Sequence, residues 1–286
     1  MQAPDIETSW LIEPFFPREG VVLIHGKKSI GKSPFIWSLM QSVSEGESFF
    51  GYDVQTPGWV IYIELDTSRN LLKPRLRKLA NPVIRHMEMV FYRSLDSLNL
   101  HPDTVAFLKD LNEKRHPVLV VINTLRRVHQ ADGNKGEIPS QVYKTWEGLF
   151  PSSCIAFVHH DKKSSRKPSG VIVEPGDEDF SGSLAWANDA QVVLHLINGT
   201  KPRQVRLKIT GSQVGSMTEE LRLELGADGT NFISAGDITL SAAYNALDPA
   251  LPKLQRYDLV ADSHLSSRST VQRAVRNASC CRLVKR

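Results

Sequence analysis

Residues 26–33, Gly-Lys-Lys-Ser-Ile-Gly-Lys-Ser, are of types and in an order that can hold a phosphate chain. Gly26 and Gly31 let the backbone wrap around an anion, because neither has a Cβ to obstruct it. Lys32 brings a positive charge to the phosphate oxygens, and the hydroxyl of Ser33 suits Mg²⁺. This full match to the Walker A pattern predicts a site for a nucleoside triphosphate. The predicted nucleotide-binding residues are Gly26, Lys27, Lys28, Ser29, Ile30, Gly31, Lys32 and Ser33.

A predicted strand and a predicted helix flank this loop, as a phosphate site of this kind requires. Val21–Ile24 is a short, β-branched apolar run, typical of a strand buried on both faces of a parallel sheet. Phe35–Val43 has the periodicity of a helix, whose first N–H groups would point at the anion. Pro34 fits the first turn but removes one N–H that a phosphate could use. The alternative, a glycine turn that happens to carry a lysine, is disfavoured by these neighbours.

Apolar runs and helical stretches alternate from residue 20 to about residue 225. Five further runs read as strands: Trp59–Ile63, Met89–Tyr92, Val118–Ile122, Cys154–Val158 and Gln191–Leu196. Two stretches read as helices: Leu71–Ala80 and His101–Lys114. Val205–Ile209 and Leu221–Leu225 read as a terminal antiparallel pair. The alternation predicts an α/β fold with a mostly parallel central sheet.

Composition and charge fit a globular chain with a distinct C-terminal segment. The chain of 286 residues is long enough for one large domain with a small appendage. Its residues are 41% hydrophobic and 23% charged, and its formal net charge is +4. Residues 253–286 contain eight Lys or Arg and two acids, a net of +6, which leaves −2 for residues 1–252. A hypothesis of nucleic-acid binding therefore begins at the C-terminus.

Cysteine usage and the absence of long apolar segments favour a cytoplasmic chain. Cys154, Cys280 and Cys281 lack metal-ligand spacing, which indicates reduced thiols. The N-terminus has no signal-peptide pattern. No apolar run approaches the roughly 18 residues that a membrane span needs, so no membrane partner is expected.

The C-terminal residues predict a small basic helical module over residues 236–286. Leu254–Ala261 and Ser269–Cys281 read as helices joined by a turn, an arrangement similar to a helix-turn-helix. Three arginines of this region are candidate DNA ligands: Arg268, Arg273 and Arg276. A solvated basic terminal helix is the alternative.

Four further motifs follow the Walker A loop in a fixed order. They are Val60–Arg69, Val118–Leu125 at the Walker B position, Phe157–His160 with its strand-end histidine pair, and Ser181–Ala190. With these motifs, roughly residues 9–225 resemble the RepA-type hexameric replicative helicases of plasmids and phages, a branch of the RecA-like ATPases. The resemblance implies a RecA-like P-loop ATPase domain over residues 1–235 that uses ATP and Mg²⁺. It also implies a ring-forming homo-oligomer, hexameric in that family, acting on single-stranded or double-stranded DNA.

The resemblance implies roles for individual residues. Lys32 would hold the phosphates, and Ser33 the Mg²⁺. Asp66 falls at the family's water-activating glutamate, and Glu64, on the same strand face, is an alternative base. His160 would sense the γ-phosphate. Without the resemblance, the histidine pair reads as polar residues that close a strand.

Several positions depart from the family. Asn123 stands where the family has a Walker B carboxylate, so it would hold Mg²⁺ more weakly and through water. Gly211 and Gln213 stand at the positions of the family's Lys and Arg, which reach into a neighbour's site. Three nearby cations could serve instead: Lys208, Arg206 and Arg203. Two hypotheses follow: an ATP-driven helicase or translocase, or a nucleotide-gated DNA-binding or scaffold protein with weak or absent hydrolysis.

Residues 162–181 form a polar segment without helical or strand periodicity, and a loop of this length is typically functional or disordered. Its first part is basic: Lys162, Lys163, Arg166 and Lys167. In the resembled family the equivalent loop grips single-stranded nucleic acid by its phosphates. A solvated charge run is the alternative, since the later part is acidic: Glu174, Asp177, Glu178 and Asp179.

Overall fold

The computed structural model describes residues 9–76, 84–130, 136–161, 165–166, 172–173, 184–212, 220–225 and 232–234, together with Leu247, Arg256 and Leu259. The strands are β1 (Trp10–Ile12), β2 (Phe16–Pro17), β3 (Gly20–Gly26), β4 (Val60–Glu64), β5 (Met87–Phe91), β6 (Leu119–Asn123), β7 (Cys154–Val158), β8 (Ser165–Arg166), β9 (Ile172–Val173), β10 (Val192–Asn198), β11 (Gln204–Ser212), β12 (Glu220–Leu225) and β13 (Phe232–Ser234). The α-helices are α1 (Lys32–Glu45), α2 (Arg69–Leu76), α3 (Pro102–Arg115), α4 (Glu137–Leu149) and α5 (Ala185–Asn188).

Among the described residues, nine strands form one sheet in the order β13-β12-β11-β10-β3-β7-β6-β4-β5. The six strands from β10 to β5 pair in parallel, whereas β11, β12 and β13 continue the sheet antiparallel. The fold is therefore α/β with a mostly parallel central sheet. Because parallel strands end at a common edge, the residues that follow β3, β4, β6 and β7 are brought together there.

The parallel strands are buried on both faces, which explains their continuous apolar sequences. On β3, Val22 and Ile24 pack on the side of α1, while Val21 and Leu23 pack on the side of α4. The sheet is thus the middle of three layers. Packing on both of its faces holds the strands, and therefore the residues at their ends, in position.

Helix α4 was not predicted from the sequence, although its apolar spacing is helical. Ile138, Val142, Trp146 and Leu149 are buried against the sheet at intervals of three or four residues. Gly136 precedes the helix and Pro139 lies in its first turn, and these residues obscured the pattern.

The other predicted elements of the core are present with small shifts at their ends, except that residues 77–80 of the predicted helix Leu71–Ala80 lie outside the described residues. The predicted terminal antiparallel pair is confirmed as β11 and β12. The polar segment contains a short pair, β8 with β9, that its sequence did not predict. The predicted helices of residues 254–261 and 269–281 lie outside the described residues, Arg256 and Leu259 excepted. Within the described ranges, no helix has the length and apolarity to cross a bilayer.

Candidate nucleotide-binding site

The loop between β3 and α1 has a backbone shape that curls around a central space. Gly26 ends β3, and Gly31, with a φ of 107°, is the N-cap of α1. Ser29 also adopts a left-handed conformation, with a φ of 65°. A loop that curls into a helix N-terminus directs backbone N–H groups at one point, as the sequence predicts for phosphate binding.

The two glycines of the loop are required by close packing. A Cβ on Gly26 would lie 2.7 Å from the backbone oxygen of Leu196 on β10. A Cβ on Gly31 would lie 2.6 Å from the ring of Phe232 on β13. The loop therefore sits tightly on the sheet, and larger residues at either position would displace it.

Lys32 folds back into the loop and is only 7% exposed. Its Nζ donates hydrogen bonds to the backbone oxygens of Gly26, at 2.6 Å, and Lys27, at 2.7 Å. Burial lowers the pKa of this ammonium group to about 8, although the nearby Asp161 carboxylate opposes the shift. A bound anion would offer this desolvated charge a far stronger partner than two carbonyl dipoles.

The outer part of the loop is open to solvent. Lys28, Ser29 and Ser33 are exposed. The Ser33 hydroxyl is thus accessible to a cation that accompanies the phosphates, as a Mg²⁺ ligand must be. Ile30 instead is buried in the core and anchors the loop.

Glu64 ends β4 with its carboxylate fully enclosed, at 1% exposure. Its Oε1 accepts hydrogen bonds from the backbone N–H groups of Asp66, at 2.7 Å, and Thr67, at 2.8 Å. Its Oε2 accepts from the Tyr62 hydroxyl at 2.6 Å and from Nδ2 of Asn123 at 3.0 Å. Four donors occupy the two oxygens, so this carboxylate has little capacity left to activate water.

Asn123 ends β6 directly beside Glu64, since the two residues are partners in the parallel register of β6 and β4. Its Nδ2 donates to Glu64 and also to the Tyr62 hydroxyl, at 3.1 Å. Burial and the neighbouring Glu64 raise the pKa of Tyr62 well above its usual value, so the phenol remains protonated and can donate. The Walker B position is thus occupied by an amide locked to a buried carboxylate.

Asp66 follows β4 and is exposed. Its Oδ1 lies 3.5 Å from Nε of Arg127, which is also largely accessible. Of the two carboxylates predicted as bases, Asp66 has the free access to water that Glu64 lacks.

The histidine pair follows β7 at the same edge. His159 is buried and its backbone N–H donates to the oxygen of Ile24, at 2.8 Å. His160 is half-buried, and its Nδ1 has no hydrogen-bond partner within the described residues. Burial first, and then the charge of Lys32, lower the pKa of His160. His160 therefore lies within electrostatic reach of the phosphate loop as a neutral imidazole.

A cluster of two histidines and one aspartate, which sequence reasoning missed, lies beneath the loop. Asp161 accepts from Nδ1 of His25 at 2.8 Å and from Nε2 of His195 at 3.2 Å, one bond on each carboxylate oxygen. The two imidazoles stack, with ring centroids 4.1 Å apart. His25 precedes Gly26 and Asp161 follows the histidine pair, so only their positions at strand ends could have indicated the cluster.

Hydrogen bonding decides the charge of this cluster. Burial alone would raise the pKa of the Asp161 carboxyl, but the bonds from His195 and His25 lower it well below its ordinary value. Burial lowers the pKa of His25 despite its bond to Asp161. The aspartate is thus a buried anion, and the backbone N–H of the same residue donates to Gly26 at 3.3 Å.

A protein-family model described as an AAA domain matches residues 1–166, more than half of the chain. The chain belongs to this AAA domain family. The match covers the phosphate loop, the ends of β4 and β6, and the histidine pair, which are the parts assembled at the carboxyl edge. No curated protein matches the chain by sequence.

Solved structures similar to this AAA domain share its fold at low sequence identity. A solved ATPase domain is 15% identical, with a TM-score of 0.55, over 76% of this chain and 84% of its own. A KaiC-like protein from the hyperthermophilic archaeon Pyrococcus horikoshii is 12% identical, with a TM-score of 0.51, over 78% and 93%. A DnaB-like replicative helicase is 14% identical, with a TM-score of 0.56, over 77% and 58%. The fold is that of RecA-like ATPase domains.

Most basic residues predicted to contact DNA fall outside the described part of this AAA domain chain. These are Lys162, Lys163, Lys167, Arg268, Arg273 and Arg276. Arg166 lies in β8, where its partner in register is Ile172.

Two of the cations considered as substitutes for the family's Lys and Arg have partners within the chain. Arg206 lies 3.3 Å from a Glu220 carboxylate oxygen on β12. Arg203 donates to the backbone oxygen of Leu225 at 3.1 Å. Lys208 also lies on β11, opposite Glu220 in the register of β11 and β12. Their reach into a neighbouring subunit stays a prediction.

Proposed function

We propose that this AAA domain chain binds ATP with Mg²⁺ and acts on DNA as a ring-forming motor of the helicase or translocase type. One observation carries the nucleotide part of the proposal. The buried ammonium group of Lys32 lies inside the phosphate loop, at the carboxyl edge of the parallel sheet. It donates hydrogen bonds to two carbonyl oxygens of this loop, at 2.6 and 2.7 Å. Ligands of open α/β sheets bind at that edge.

The residues around the loop are of the kinds that ATP and Mg²⁺ need. The positive φ angles of Ser29 and Gly31 curl the loop, which suits contact between its backbone N–H groups and phosphates. Lys32 would pair with the β- and γ-phosphates, and the exposed Ser33 hydroxyl would contact Mg²⁺. When bound, Mg²⁺ supplies positive charge against the phosphate oxygens. The amide oxygen of Asn123 would accept hydrogen bonds from the metal's waters.

The residues for hydrolysis are less complete than those for binding. Asp66 would orient the attacking water, a role typically worth about 10²–10⁴ in rate. Glu64 is the poorer candidate, because four hydrogen bonds already occupy its carboxylate. His160, neutral and within electrostatic reach of Lys32, would donate a hydrogen bond to the γ-phosphate and so report its presence.

The DNA part of the proposal rests on the resemblance to RepA-type helicases and on basic residues. The likeness of fold to a DnaB-like replicative helicase agrees with it. The chain would form a ring, hexameric as in the resembled family, with an ATPase domain over residues 1–235 and a DNA-binding module over 236–286. The candidate contacts to DNA are Lys162, Lys163, Arg166, Lys167, Arg268, Arg273 and Arg276. Contacts of this kind are electrostatic and weaken with salt.

A second candidate function is a nucleotide-gated DNA-binding or scaffold protein that hydrolyses ATP poorly. The observation that favours it is the Walker B position, where Asn123 has no charge and is bonded to Glu64. An arginine finger is worth about 10³–10⁵ in rate, so a site that lacked one would bind nucleotide and turn over slowly.

Steady-state ATP hydrolysis with and without single-stranded DNA separates the two candidates. The motor predicts turnover that DNA stimulates and that both Lys32→Ala and Asp66→Asn abolish. Lys109→Ala, which removes an exposed lysine from helix α3 outside the phosphate loop, is the matched control and should retain most of the activity. Tight nucleotide binding without DNA-stimulated turnover would overturn the motor and support the scaffold.

Native mass spectrometry with a non-hydrolysable ATP analogue tests the ring independently. The proposal predicts that the analogue shifts the particle from small species to a closed ring. A chain that remains monomeric with the analogue bound would refute the ring while leaving nucleotide binding intact.

A further inference from the structure

The amide of Asn123 faces two groups that both require a hydrogen from it. The Tyr62 hydroxyl uses its one hydrogen to donate a hydrogen bond to Glu64, so toward Asn123 its oxygen can only accept. Glu64 accepts on both oxygens from four donors, so it too has no hydrogen to offer. The atom of Asn123 that faces them must therefore be the nitrogen, Nδ2.

This arrangement fixes the orientation of the amide, which an isolated asparagine would not do. Rotation of the Asn123 amide by a half-turn would place Oδ1 against the Glu64 carboxylate at about the present 3.0 Å and lose both hydrogen bonds. An unpaired buried acceptor next to a buried anion is strongly unfavourable. Asn123 consequently presents its oxygen, and not its NH₂ group, away from Glu64.

We propose that Glu64 is a positioning residue, which holds the Asn123 amide so that its oxygen faces the Mg²⁺ that accompanies bound ATP. This inference rests on the proposed function. The neighbouring strand thus compensates for the carboxylate missing at the Walker B position. An amide oxygen accepts hydrogen bonds from the metal's waters, whereas an NH₂ group at the same place would repel the cation. Glu64 acts here through Asn123 and does not contact the metal or the phosphates.

Glu64→Gln should reverse the orientation of the Asn123 amide, with no change in the size of the side chain at position 64. The backbone N–H groups of Asp66 and Thr67 would require the oxygen of the new amide at the Oε1 position. Its NH₂ group would then occupy the Oε2 position and donate to both Tyr62 and Asn123. Asn123 would turn its oxygen toward residue 64 and its NH₂ group toward the metal.

The test is the affinity for a non-hydrolysable ATP analogue, measured by calorimetry with Mg²⁺ and with EDTA. In the wild type, Mg²⁺ should tighten binding through both the Ser33 hydroxyl and the Asn123 oxygen. Glu64→Gln should lower this gain by about tenfold, the effect expected of one charge-assisted hydrogen bond, while its affinity in EDTA stays within about twofold of the wild type.

The double variant Glu64→Gln/Asn123→Asp should restore the gain, because the carboxylate introduced at position 123 would accept from the amide at position 64 with one oxygen and offer the other to the metal. Tyr143→Phe is the matched control for a lost buried hydrogen bond, since the Tyr143 hydroxyl donates to the Trp186 backbone on the other face of the sheet, at 2.8 Å. It should lower the melting temperature and leave the Mg²⁺ gain unchanged.

Each outcome decides the inference. A Mg²⁺ gain that Glu64→Gln leaves undiminished, or that the double variant fails to restore, would overturn the positioning role while ATP binding stands. A wild type that binds the analogue equally well in Mg²⁺ and EDTA would do the same. A wild type that does not bind the analogue would overturn both the inference and the proposed function.

Discussion

Replacement of Asp161 by asparagine tests whether the buried cluster beneath the phosphate loop stabilises the fold. The Asp161 side chain is 2% exposed, and each of its oxygens accepts one hydrogen bond from a histidine that is almost completely buried. Asparagine has the same shape but offers one acceptor and one NH₂ group. It therefore keeps one of the two bonds and removes the charge.

The magnitude follows from the bonds that are lost. A hydrogen bond to a charged group contributes about 1.5–3 kcal/mol, so Asp161→Asn should lower the free energy of unfolding by that amount. Asp161→Ala removes both bonds and leaves two buried imidazoles without their acceptor, which should cost about 3–5 kcal/mol. Asp110→Asn is the control, because Asp110 forms an exposed pair with Lys114 one helical turn away. Its effect should stay within about 0.5 kcal/mol.

The assay is urea unfolding at pH 7.5, repeated at pH 5.5. Asp161 has a lowered pKa, so its stabilising effect is present above the ordinary carboxyl value of 3.8 and is lost only as the pH falls through the lower folded-state pKa. Asp161 also raises the pKa of His25, so asparagine at position 161 should lower that pKa further, and the difference between wild type and Asp161→Asn should be at least as large at pH 5.5 as at pH 7.5. His25 also has a lowered pKa, so the unfolded chain gains a proton below about 6.5 and both proteins should be less stable at pH 5.5. An Asp161→Asn protein within about 0.5 kcal/mol of wild type would refute the reasoning.

Two further predictions concern the phosphate loop. Because Lys32 has a pKa of about 8, ATP binding should take up about half a proton at pH 8 and almost none at pH 6.5, measured by calorimetry in buffers of different ionisation enthalpy. Lys32→Arg, which stays charged, should show no such uptake, and equal uptake in both proteins would contradict the assignment. Gly31→Ala should lower the free energy of unfolding by about 1–3 kcal/mol, because alanine is strained at a φ of 107° and its Cβ would meet Phe232. A Gly31→Ala protein as stable as wild type would show that the loop can adopt another conformation.

The fold could be predicted because its strands are buried on both faces. Val118–Ile122 and Cys154–Val158 are continuous apolar runs, and such runs stand out in a sequence. The Walker A loop could be found because all of its residues are contiguous in the sequence. Helix α4 escaped prediction because a preceding glycine and an early proline masked an otherwise regular apolar spacing.

The networks at the carboxyl edge could not be predicted, because they depend on strand order and register. Asn123 reads in the sequence only as the loss of a carboxylate. Its pairing with Glu64 requires that β6 lie next to β4 with those two residues opposite each other. His25 and His195 are likewise separated by 170 positions in sequence, and only the parallel register of β3 and β10 places them side by side.

Calorimetric titration of the wild type with ATP and Mg²⁺ tests most directly whether the loop of residues 26–33 binds a nucleoside triphosphate. We expect a saturable heat that approaches one ATP per chain, that disappears in Lys32→Ala and that persists in Lys109→Ala, a change at an exposed lysine of helix α3. No heat of binding from the folded wild type, with Mg²⁺ present, would contradict the account.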